Sequence, residues 1–163
     1  MKNILFILLS INLLIPNVQK VYSDELSRHY LNIYNKAIDL INDDKHSQAE
    51  KKCEEVIKLS PEDKIGYLCK GISEGFSSEP KKNEALKSFT KAIEIDPEFH
   101  EAYYWRGVLQ FSMVRNNMSK LDRTACSDIK KAYLNEFTYA IDYVNESKAF
   151  LRRDKCTGFF NYP

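Results

Sequence analysis

The chain has 163 residues, 24 Lys and Arg against 23 Asp and Glu, 44% hydrophobic residues, 5 Gly and 5 Pro. These proportions exclude a disordered or collagen-like polymer and predict one compact unit. Charge of both signs alternates along the chain, so there is no basic footprint for DNA, RNA or an anionic membrane surface.

Residues 1–23, MKNILFILLSINLLIPNVQKVYS, have the three-part build of an export signal. Lys2 supplies the positive start, Ile4 to Pro16 an uncharged aliphatic run, and Val21 and Ser23 the small residues a signal peptidase accepts before Asp24. Thirteen residues from Ile4 to Pro16 fall short of the roughly 20 that span a bilayer. The expectation is therefore a cleaved, exported chain of residues 24–163, periplasmic, extracellular or lumenal, with a membrane reached only through an uncleaved signal. Loss of Lys2 and Lys20 leaves 22 basic against 23 acidic residues, a formal charge of −1.

Beyond a short lead-in, Asp24 to Arg28, two patterns alternate. HYLNIYNKAIDLI starts at His29 and places Ile33, Ala37, Leu40 and Ile41 at helical spacing. QAEKKCEEVIKLSPED from Gln48 then presents Ala49, Cys53 and Val56 on one helix face. IGYLCKGI from Ile65 returns to the first pattern with Gly71 in place of Ala37, and EALKSFTKAIEIDPEF from Glu84 to the second, with Ala85, Phe89 and Ala92. EAYYWRGVLQF from Glu101, with Gly107, and TACSDIKKAYLNEF from Thr124, with Ala125, Ile129 and Ala132, complete a third round. Glycine inside a helix costs about 1 kcal/mol, so Gly71 and Gly107 predict a neighbouring helix that comes close. Pro61 and Pro97 end the second helices of the first two rounds, with Ser60 and Asp96 placed as caps for the next; Phe137 stands where the third Pro is due. Phe137, Ala140, Ile141, Val144 and Leu151 predict a last helix over about residues 138–155, and CTGFFNYP reads as irregular.

This hairpin resembles the tetratricopeptide repeat: a small residue in the first helix, Ala-x3-aromatic in the second, and Pro at the turn. The likeness covers about Tyr30 to Asn135 and is strongest from Ala85, Phe89, Ala92 and Pro97 to Tyr103 and Gly107. Ala49 to Ala85 is 36 residues and Ala85 to Ala125 is 40, longer than the family's 34, the excess falling in SSEPKKNE and VRNNMSKLDR between the helices. Lys36 departs from the Leu usual in the family, which makes the first copy the least typical. The resemblance implies an all-α, right-handed superhelix of about three hairpins, residues 30–63, 64–99 and 100–136, with a capping helix over the open end.

In that family the first helices line a concave groove for a peptide or a partner's helix. The register of Ala37, Gly71 and Gly107 then implies that Tyr34, Ile38, Leu68, Ile72, Tyr104, Val108 and Phe111 face it. Such an apolar set suits a protein segment with apolar anchors, or is simply core. Members that clamp a C-terminal carboxylate use Lys, Arg and Asn there, and this set has none.

Chemistry is hard to find. His29, His46 and His100 have no partner at metal-ligand spacing, and there is no GxSxG, HExxH or phosphate-cradling Gly loop, so the reading is a non-enzyme with no metal or cofactor. A structural subunit of an envelope assembly is the alternative, and an enzyme with an unrecognised site the last. Cys53, Cys69, Cys126 and Cys156 show no CxxC spacing. Either Cys53 and Cys69 are small buried hydrophobes, or Cys53 pairs with Cys69 and Cys126 with Cys156. Asn117 to Ser119 and Asn145 to Ser147 match the Asn-x-Ser glycosylation pattern, which is common by chance.

Overall fold

A computed structural model describes residues 16–114, 123–146 and Cys156. The regular structure of the described residues is all helical: α1 (Pro16–Asn42), α2 (His46–Leu59), α3 (Lys64–Gly75), α4 (Lys82–Ile95), α5 (His100–Val114), α6 (Arg123–Leu134) and α7 (Thr138–Glu146). Each helix packs on the next along the chain, and α1, α3 and α5 also touch in series, so three hairpins stack as an all-α helical-repeat superhelix. α1 is unbroken through the expected processing point at Asp24, so the lead-in is helical. The second half of the expected last helix, residues 147–155, lies outside the described residues, as do Asn117 to Ser119 and Ser147.

The stack is held by the positions that repeat. Ala49, Cys53, Val56, Ala85, Phe89, Ala92, Ala125, Ile129 and Ala132 are all fully buried. A Cβ on Gly71 would stand 2.6 Å from Phe89 Cε1, and one on Gly107 2.9 Å from Ile129 Cδ1. Each glycine thus admits the large residue of its partner helix into contact with the backbone. The sulfurs of Cys53 and Cys69 are bonded across α2 and α3, and those of Cys126 and Cys156 tie α6 to the residues after α7.

The turns differ from the sequence reading in their caps: Ser60 and Asp96, expected to cap the next helices, each close the preceding one. Ser60 closes α2, its N–H donating to Val56 O, and the cap of α3 is Asp63, whose Oδ1 accepts from Ile65 N at 2.9 Å. The chain spends Pro61 to Asp63 on the turn, which moves the cap three residues on. Asp63 Oδ2 also accepts from Tyr30 Oη at 2.6 Å, fastening α1 to α3. Asp96 closes α4 and accepts from Glu98 N within the turn. Where Phe137 replaces a Pro, Glu136 takes a left-handed φ of 58° and Phe137 N donates to Ala132 O, which reverses the chain without one.

Candidate functional site

The first helices α1, α3 and α5 set two rows of side chains side by side. Ile38, Ile72 and Val108 form one row and remain half-buried, partly open to solvent. Tyr34, Leu68 and Tyr104, four residues earlier on each helix, form the other. Four residues turn a helix by one turn and about 40° more, which swings this second row toward the following first helix. Leu68 is accordingly 5% exposed and packs with Leu109 and Ala102 of α5.

Tyr104 and Phe111 have α7 as the following helix. Tyr104 is 9% exposed, with its ring centroid 5.4 Å from Phe137 and 6.0 Å from Tyr143. Phe111 is 3% exposed and 6.4 Å from Tyr143. Of the seven side chains assigned to a groove, these two and Leu68 therefore lie in seams between helices, while Tyr34, Ile38, Ile72 and Val108 keep partial exposure.

Three further residues share this face and did not stand out in the sequence. Trp105 of α5 meets Phe76, just past α3, edge-on at 5.1 Å, and Tyr104 at the same distance. Its indole Nε1 is buried and has no hydrogen-bond partner among the described residues. Glu101 lies one turn earlier; burial pushes the Glu101 carboxyl up, and the Trp105 N–H opposes that rise. Burial likewise raises the Tyr34 hydroxyl, and the fields of Glu101 and Asp63 add to it. The Glu101 carboxyl on α5 is therefore near enough to act on the Tyr34 hydroxyl of α1. The spacing of Glu101, Trp105 and Val108 at i, i+4 and i+7 was the available signal.

Several cationic groups near these helices are engaged elsewhere. Arg106 donates from Nε and Nη2 to the two oxygens of Asp128, at 2.7 and 2.9 Å, and from Nη1 to Thr90. Lys64 binds Asp96 and lies over the Phe99 ring. His46 Nε2 is 3.1 Å from Asp44, and His100 Nε2 is 3.9 Å from Glu98. Among the described residues no group of three or more His, Cys, Asp or Glu is placed to hold a metal, and no helix is long and apolar enough to cross a membrane.

A family model for the TPR repeat matches residues 81–114, which span α4 and α5 with Ala85, Phe89, Ala92, Pro97 and Gly107 among them. No curated protein matches the chain.

Proposed function

We propose that this TPR-type helical stack is a non-catalytic module whose open face on α1, α3 and α5 receives a segment of a partner protein. TPR repeats commonly mediate protein–protein interaction. The observation that carries the reading is the half-buried row of Ile38, Ile72 and Val108, flanked by Trp105 and Phe76. Rigid apolar and aromatic side chains on a preformed face suit a segment with apolar anchors, because little entropy is lost on binding. The binding surface centres on Ile72 and Val108 rather than on Tyr104 and Phe111, which α7 already covers.

The same reading places the chain in an exported, oxidising compartment. The Ile4 to Pro16 run and the two disulfides support it.

A photo-crosslinking residue at Val108 of the protein in its native host, followed by mass spectrometry, tests the proposal. One discrete partner is expected, and its capture should be lost in the Ile72→Glu protein while the far-ultraviolet circular dichroism of that protein stays helical. Crosslinks confined to the chain's own α7 would defeat the proposal.

A further inference from the structure

A second concavity lies between α2 and α4, over the side of α3 that carries Tyr67. It is open along one side and has a volume of about 520 Å³. Half-buried Ile57 of α2 and Tyr67 of α3 supply its apolar surface. Lysines crowd its edge: Lys58 on the α2 wall, Lys87 and Lys91 on the α4 wall, and Lys70 from α3.

These lysines are not equivalent. Lys70 is satisfied within the fold, donating to Glu54 Oε1 at 2.5 Å and lying 3.8 Å from the buried Glu74. That bond holds the Glu54 carboxyl below its usual range, so the one acidic group lining the groove is already neutralised. Lys91 has only an exposed, loose pairing with Glu94 at 3.9 Å. Lys58 and Lys87 are exposed and have no ion pair within 4 Å among the described residues. Lys87 and Lys91 stand four apart on one helix, where like charges cost a few tenths of a kcal/mol. A smaller hollow on the far flank of the same two lysines, lined by Leu86 and Thr90, continues the surface.

A chain of nearly balanced charge thus gathers unpaired positive charge around an apolar depression. We propose that this groove is a second docking site, for an acidic segment of another protein: an apolar side chain enters between Ile57 and Tyr67, and carboxylates on either side of it meet Lys58 and the pair Lys87 and Lys91. The volume accommodates a large side chain with its flanking backbone. Charge of this kind governs partner choice and encounter rate more than raw affinity. Its walls belong to α2 and α4, so it is separate from the face on α1, α3 and α5, and both can be occupied together.

The test uses the full chain and a fluorescein-labelled, glutamate-rich peptide with one central phenylalanine, read by fluorescence anisotropy. Reversing the charge of Lys87 and Lys91 together (Lys87→Glu, Lys91→Glu) should weaken binding about tenfold, as expected for two partly exposed contacts turned repulsive. Lys36→Glu, a reversal on α1, should leave it within about twofold. Replacing the peptide's phenylalanine with alanine should weaken binding at least several-fold, since the peptide would lose the apolar surface that the ring buries in the groove. Equal loss with Lys36→Glu, no dependence on the phenylalanine, or tighter binding of a short DNA duplex than of the peptide would each overturn the proposal. Both lysines are exposed, so the doubly reversed protein should keep its helical spectrum.

Discussion

At the scale of single residues, the repeat depends on pairs of unequal size. Phe89 fills the space Gly71 leaves, and Ile129 that of Gly107. The residue just before each small position is a cation in every copy: Lys36, Lys70 and Arg106. Lys36 is thus less of an exception than it looks in the first copy alone. In the second and third copies the cation is fastened to a second helix, Lys70 to Glu54 and Arg106 to Asp128, so an ion pair takes over a place the family usually gives to Leu. Glu101 is the acid with the clearest consequence for pH. Its folded pKa is raised by burial, so the fold favours its protonated form. Its contribution to stability is full below the unfolded value and is lost as pH rises through the folded one. Glu101→Gln should therefore be more stable than wild type at neutral pH, with the difference closing as pH falls into the carboxylate range. Urea unfolding across that range measures it, and a difference independent of pH would exclude the mechanism.

At the scale of elements, each hairpin is a short amphipathic pair that cannot bury its apolar face alone. Residues 1–15 apart, the periodicity of small and large residues located every described helix, because one buried stripe per helix recurs at 3.6 residues. The caps were less legible. Ser60 has the side chain of a cap, but the number of residues spent on the Pro61 turn decided that Asp63 is the one whose carboxylate meets a free N–H. Cys53 and Cys69, 16 residues apart, join α2 to α3 across the first and second repeats. Closing a loop of that length restricts the unfolded chain by about 3 kcal/mol. The Cys53→Ala, Cys69→Ala protein should lose about that much in urea unfolding, and a loss under about 1 kcal/mol would mean the bond adds little to what packing already holds.

At the scale of the whole molecule, the stack behaves as a line of neighbours with an apolar face exposed at any open end. α7 and Phe137 just before it cover that end by laying Phe137 and Tyr143 on Tyr104 and Phe111, and the Cys126–Cys156 bond anchors the chain beyond it. Truncation after Leu134 should bare these rings, lower the melting temperature by several degrees and raise binding of a hydrophobic dye. An unchanged melting temperature would show that α7 is not a cap. The sequence by itself determined the all-α class, the three hairpins and the small residues at their crossings, because local periodicity and turn chemistry act over a few residues. Only the tertiary structure decided which apolar side chains of the first helices stay open. Tyr104 and Val108 are both apolar in character and lie on one stripe, and about 40° of rotation sends one under α7 and leaves the other half-buried at its edge. Where the next helix lies is set by packing between repeats, which no single helix encodes.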